Sequence, residues 1–328
     1  MGSRLISALL LGVALAALPI GRAEAEAVDP RVVAKRLGLS DAQIDQVARG
    51  QVVAQELSAD GDKTLSLTLV AILEAPLEKV DEVVAADQLA DVSTATLSRG
   101  EIDVSTFSLA EMSLPEDVLD DLVDDPAGTF FLSDGEAERV AKAAEKGRSQ
   151  ALEAYRAVLS ARAKAYWEGG LAAIEPYAGK GRSPKVDLER AKATARQVVR
   201  NPRVHEALEA VPSQAKGSAS HRLTWALEKG RDRAAPVLSH RILLKEEGGQ
   251  FFVERRFYSG YDYDAMQELA GILATASGDR SVVFYTNLTY TAQVTGFGGG
   301  AKRAIGRKLM EKQLAAEMER VQQVFAER

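Results

Sequence analysis

The residues able to do chemistry are few. The 328-residue chain holds three histidines (His205, His221 and His240), no cysteine, and scattered Asp, Glu, Ser and Tyr. A zinc site needs three or four ligands of suitable type. These histidine spacings, without cysteine, supply no such set. His240 stands beside Arg241 and, with a carboxylate brought near, has the right type for acid–base work; the preferred expectation is a buried histidine hydrogen-bonded within a sheet. Tyr258-Ser259-Gly260 lacks the first glycine of a nucleophile elbow. Asp262 and Asp264 flank Tyr263 and would share a face on a strand, as a glycosidase pair must, but carboxylates between tyrosines suit a wet turn better. No catalytic residue, metal ligand or cofactor is therefore assigned.

Aromatic residues carry the stronger signal. Phe257-Tyr258-Ser-Gly-Tyr261-Asp-Tyr263 is the densest cluster. Such side chains combine apolar area with a polar tip, as ligand pockets require. Trp225, Phe257, Tyr258, Tyr261, Tyr285 and Tyr290 are the candidate lining of an apolar cavity, with Arg256 placed to pair with a ligand's acid group. The competing expectation is ordinary sheet core. Gly296-Phe-Gly-Gly-Gly300, followed by Lys302 and Arg303, has two readings: an anion-binding helix start, or a tight turn that only glycine permits. The turn is preferred.

Elements that position these residues follow from periodicity. Residues 29–48 read as two short helices broken at Gly38, with Ser40 as the second cap. A first strand spans 52–57. A second spans 64–73, with Leu65, Leu67, Leu69, Ala71 and Leu73 on one face. Pro76 opens a helix to residue 86. A strand over 102–107 and a capped acidic helix over 114–122 follow. From 134 to 211 alanine and charge dominate: one long helix over 136–167, a break at Gly179-Lys-Gly-Arg-Ser-Pro184, then helices over 186–200 and 204–210. Alternating strands return with Trp225, with Leu238–Leu244, with Phe251–Tyr258 and with 281–294. Residues 264–274 fit either strand or helix. The last helix carries Met310, Leu314, Met318, Val321 and Phe325 on one stripe.

At the N-terminus Arg4, the apolar run 5–20 and Ala23-Glu24-Ala25 form the pattern of a cleavable export signal. The run is shorter than the roughly 20 residues that span a bilayer. This predicts a periplasmic or secreted protein of a bacterial envelope, with no transmembrane segment once the signal is removed. The net charge of −6 argues against a nucleic-acid partner. Without cysteine, disulfides are excluded and an apolar core must hold the fold.

The order of strand, strand with Ile72-Leu-Glu-Ala-Pro-Leu-Glu-Lys-Val80, helix, antiparallel strands and long final helix resembles the START-like (SRPBCC) helix-grip superfamily over residues 51–86 and 221–328. The resemblance implies a cavity between a curved sheet and the final helix, suited to lipids, sterols or aromatic molecules. It carries no universal catalytic residues and leaves the helical block unmatched. The resulting expectation is an α+β fold: a curved antiparallel sheet with a long C-terminal helix, interrupted by a helical insertion. Its divisions are a signal peptide (1–25), a helical lead-in (26–50), a first α+β part (51–134), the insertion (135–215) acting as a lid, and a second α+β part (216–328). The expected function is non-enzymatic binding of a hydrophobic or lipid-like molecule. The alternatives are an envelope interaction protein using the helical block, or a hydrolase using His240 or a carboxylate pair.

Overall fold

A computed structural model describes residues 29–57, 61–85, 93–178, 182–246 and 248–326. The expected export signal lies outside these residues, as do Asp60, the first residue of the Asp60-Gly61-Asp62 turn signal between the first two strands, and residues 179–181 of the expected break. The fold is α+β. Eight strands among the described residues form one antiparallel sheet: β1 (Val53–Gln55), β2 (Thr64–Leu73), β3 (Thr96–Ile102), β4 (Ser220–Lys229), β5 (Ala234–Glu246), β6 (Gly249–Ser259), β7 (Ala265–Ala274) and β8 (Ser281–Tyr290). The spatial order is β1-β2-β8-β7-β6-β5-β4-β3. The last strand inserts beside β2, so the chain's two ends meet in the sheet.

Helices cover both faces. Helices α1 (Pro30–Arg36) and α2 (Asp41–Ala48) precede the sheet, and α3 (Leu77–Ala85) follows β2. Between β3 and β4 come α4 (Glu116–Asp124), α5 (Pro126–Thr129), α6 (Asp134–Ala144), α7 (Arg148–Gly169), α8 (Pro184–Val198) and α9 (Pro202–Glu209). Helix α10 (Gly299–Ala326) ends the chain. Registered partners share a face of an antiparallel sheet, so the two faces can be followed across the strands. One face carries Trp225, Leu238, His240, Arg255 and Phe284 and packs against α1, α2 and the helices between β3 and β4. The other carries Leu67, Leu69, Ala71, Ile272 and Val283 and packs against α3 and α10.

Helix α10 sits where its sequence stripe predicts. Leu314, Met318 and Phe325 are buried against β2, with Met310 and Val321 beside them. Burying each such side chain contributes roughly 1.5–3 kcal/mol. Gly306 allows the close approach: a Cβ there would lie 3.1 Å from the Leu65 side chain. Gly296 and Gly298 have φ of 74° and 73°. Those left-handed conformations turn the chain from sheet to helix, in accord with the turn reading of the glycine run.

Several boundaries differ from the sequence pattern. The expected strand over 102–107 ends at Ile102, and Phe107 has φ of 53°. Residues 264–274 settle as strand because β6 and β8 pair with both edges. The helix expected over 136–167 is two helices parted at Gly147. The strand expected to reach 294 stops at Tyr290 and tightens into a helical turn at Ala292–Val294.

Candidate functional site

The face shared with α10 carries a polar row that crosses the sheet. Register places Arg222 beside Arg241, Arg241 beside Glu254, Glu254 beside Glu268, Glu268 beside Asn287, and Asn287 beside Leu67. Exposure falls along the row. The Arg222 side chain is 64% exposed, that of Glu254 9%, and Asn287 is 3% exposed. The row thus runs from the exposed Arg222 on β4 to the apolar layer beneath α10. Leu69, Phe252, Ala270 and Tyr285 form the next row on the same face.

Arg256 is the hub of the site. Its guanidinium donates to Glu228 at 2.6 Å and to the Tyr263 hydroxyl at 3.0 Å. It lies 3.6 Å from Glu254 and 3.6 Å from Glu268. Arg241 donates to Glu254 at 2.9 Å. Asn287 donates to Glu268 at 3.3 Å and to the Tyr285 oxygen at 3.4 Å, and Thr289 donates to the Asn287 carbonyl at 2.7 Å.

Adjacent Glu254 and Glu268 are driven apart in acidity. Burial opposes ionisation of Glu254, but Arg241 and Arg256 outweigh it and hold its carboxyl below the usual range. Burial raises Glu268, which Arg256 only partly offsets and to which the Glu254 charge adds. Two like-charged carboxylates in one desolvated site favour a single ionisation. Burial likewise pushes the Tyr285 and Tyr263 hydroxyls up, so both remain neutral hydrogen-bonding groups. The row offers a carboxyl of strengthened acidity, a second carboxyl of weakened acidity and an amide, with two phenols beside them. That set suits hydrogen bonding to a neutral or basic polar group.

The seven residues expected to line one cavity separate into three places. Arg256 and Tyr285 stand on the α10 face. Trp225, Phe257, Tyr258 and Tyr290 stand on the helical-block side, all buried in apolar clusters. Tyr261 lies in the rim loop after β6, with the Arg233 guanidinium 4.4 Å from its ring centroid. A bulge explains the division. Leu238 pairs with Tyr258 and Ser239 with Arg256, leaving Phe257 as the extra residue. Two consecutive side chains then turn to one side: Phe257 stacks on Tyr166 at 4.2 Å and Tyr258 hydrogen-bonds Tyr155 at 2.7 Å, both partners on α7. Strict alternation would have kept Tyr258 with Arg256. Glu228, Glu254, Glu268 and Asn287, by contrast, escaped the sequence reading. The charge pattern Glu254-Arg255-Arg256 on an otherwise apolar strand was the one signal available.

Contacts correct the expectation of a lid and agree with the preferred reading of His240 as a buried, hydrogen-bonded sheet residue. The helical block lies on the sheet face opposite α10, so it cannot serve as a lid between α10 and the sheet. His240 is fully buried; Nδ1 lies 2.8 Å from the Tyr166 hydroxyl and Nε2 3.1 Å from His221 Nδ1. With both ring nitrogens engaged, His240 has none left for a substrate. Asp262 and Asp264 do not pair either. Asp262 accepts from the Arg231 amide in a turn, whereas buried Asp264 binds Arg182 at 2.9 Å.

Burial, with Arg255 and His221 nearby, holds His240 well below its ordinary value; burial and Arg255 also lower His221. The unfolded chain protonates these rings near pH 6.5 while the folded protein resists doing so. Their contribution to stability is therefore complete above about pH 6.5 and declines as pH falls toward the folded values, by at most about 1.4 kcal/mol per pH unit for each ring. Urea midpoints compared between wild type and His240→Gln will show the wild type losing more stability from pH 7 to pH 5. Parallel pH profiles would contradict a neutral buried His240.

Among the described residues no group of three or more His, Asp or Glu is placed to hold a metal ion, and no helix is long and apolar enough to cross a membrane. A solvent-open cleft of about 370 Å3 lies on the helical-block side, lined by Arg203, Glu206, Lys216, Ser218 and His221 among others. No family model, curated protein or solved structure matches the chain.

Proposed function

We propose that this chain is an exported binding protein that holds one hydrophobic or lipid-like small molecule between its sheet and α10, without converting it. The observation that carries this reading is the polar row of Arg256, Glu254, Glu268 and Asn287 running into the apolar layer of Leu67, Leu69 and Leu314. An amphipathic ligand matches such a gradient, its polar end against the row and its apolar body toward α10. The reading also rests on the resemblance to START-like proteins, which implies a cavity between a curved sheet and the final helix.

The ligand's polar end differs from the one first expected. Arg256 already faces Glu228, Glu254 and Glu268, so a ligand carboxylate would enter a neighbourhood with more acid than base. A hydroxyl, amide or amine suits it better, because the carboxyl oxygens of Glu254 and Glu268 can accept from it. Binding without conversion accords with the inaccessibility of His240.

Native mass spectrometry of the protein in its cellular form, followed by organic extraction, tests this directly. A bound apolar molecule bearing a hydroxyl, amide or amine is expected. Its load is expected to fall at least about tenfold in Ala270→Phe, which fills the groove beside Tyr285, while Ala270→Ser retains it. An empty wild-type protein, or equal loading of Ala270→Phe, would refute the reading.

A further inference from the structure

The first half of α10 and the loop before it present a surface that the fold does not use. Phe297 is fully exposed, and Ile305 and Leu309 are 62% and 64% exposed. Among the described residues seven large hydrophobic side chains are exposed, and the three most exposed of them come from this thirteen-residue stretch. All three stand away from the Leu314, Met318 and Phe325 stripe that holds α10 to the sheet. They are interspersed with Lys302, Lys308 and Lys312, all exposed. None of these lysines forms an ion pair among the described residues. Arg303 and Arg307 lean instead on the protein, against the Asp62 carbonyl at 2.7 Å and Glu56 at 2.6 Å. Residues 296–313 hold five basic side chains against the single Glu311, in a chain whose net charge is −6.

We propose that this surface docks the protein on an anionic lipid bilayer, with α10 lying in the plane of the interface. The charge selects this occupant. Isolated apolar side chains between long cationic ones match an interface, where rings and aliphatic groups enter the acyl boundary while ammonium groups meet anionic headgroups. A protein-binding hot spot would instead gather its apolar residues into one packed patch. A second copy offering the same face would bring like charges together. Phe297, on a loop turned by Gly296 and Gly298, projects furthest and would insert first. The inference stands apart from the groove: docking requires no ligand, and the groove requires none of these six side chains.

Vesicle flotation tests it, using the protein in the form that accumulates in the cell. Phosphatidylcholine vesicles are compared with vesicles that also contain phosphatidylglycerol. Binding at least about tenfold stronger to the anionic vesicles is expected, falling about tenfold when salt is raised to about 0.5 M. Phe297→Ser, the pair Ile305→Ser with Leu309→Ser, and the triple Lys302→Glu, Lys308→Glu, Lys312→Glu should each weaken it at least about tenfold. Because these side chains are exposed, thermal unfolding should be unchanged, which separates lost docking from lost folding. Equal binding to both vesicles, or anionic binding that survives all three variants, overturns the proposal. So does self-association, or capture of an acidic protein, that depends on Ile305 and Leu309 while vesicles are ignored. Extraction of ligand from a non-docking variant reports on the groove separately.

Discussion

Replacing Arg256 by methionine is expected to cost about 3–5 kcal/mol of stability near pH 7, because it leaves three carboxylates facing one another with their shared cation gone. Glu228 at 2.6 Å, Glu254 at 3.6 Å and Glu268 at 3.6 Å all turn to this one guanidinium. Arg241 remains for Glu254, but Glu228 keeps no ion pair among the described residues. The loss should shrink as pH falls, since protonated carboxyls no longer repel. Glu254→Gln added to Arg256→Met should recover part of it, which a double-mutant cycle will read as coupling between the two positions. Urea unfolding at pH 7 and pH 5 checks both points. A cost below about 1 kcal/mol, independent of pH, would mean that the cluster is effectively solvated and that the groove floor is not preorganised. That result would also weaken the binding proposal, which depends on a fixed arrangement of Glu254, Glu268 and Asn287.

Glu136→Ala should destabilise the whole molecule by about 3–5 kcal/mol. Glu136 on α6 receives Arg162 of α7 through Nε at 2.7 Å and also through Nη2. Both side chains are buried, and the Arg162 guanidinium lies 5.3 Å from the Tyr258 ring centroid and 5.4 Å from that of Tyr177. Without Glu136 a buried cation loses its counterion, and the amide of Ser133 loses the carboxylate that caps α6 at 2.8 Å. The two tryptophans report on the scope of the effect, because Trp167 belongs to α7 and Trp225 to β4. Single-tryptophan variants should unfold with coincident transitions, in wild type and in Glu136→Ala alike, the latter shifted to lower denaturant. The reason is the shared core: Tyr166 stacks on Phe257 and Tyr155 bonds Tyr258, so the helical block has no apolar layer apart from the sheet's. Two separate transitions would show the block to be an independently folding unit.

This integration also bears on how a ligand reaches the groove. The block between β3 and β4 is fastened to the sheet face opposite α10. What covers the proposed ligand position is α10 itself and α3, which is tied to β5 through Asp81 and Lys245 at 2.8 Å. If α10 also meets the membrane through Phe297, Ile305 and Leu309, the same helix would contact the bilayer on one side and cover the groove on the other. A ligand could then pass between bilayer and protein along one element.

Local regularities in the sequence determined much of the architecture. Alternation in 64–73 made that segment a strand; β1 and β8 pair with its two edges, and the layers on either side of the sheet bury both of its faces. The stripe from Met310 to Phe325 required an apolar partner and obtained β2. Ser40 with Gln43, and Ser133 with Glu136, mark helix starts through reciprocal caps. Those features depend on neighbours a few residues apart, where periodicity and capping geometry operate.

The site depended on longer-range organisation. Alternation states which side chains share a face within one strand, but not which face meets which helices. That choice placed Trp225 against α7 and Tyr285 toward α10. The bulge at Phe257 then reversed the parity of Tyr258, a one-residue shift invisible in composition. Arg256 meets Glu228 from 28 residues away, and His240 meets Tyr166 from 74 residues away. Such partners are chosen by strand order and register, which emerge only when the whole sheet closes. The sequence by itself determined the elements and the stripe that anchors α10; the tertiary structure alone decided which charges share one desolvated cluster, because their interaction depends on distance in space and on the water excluded around them.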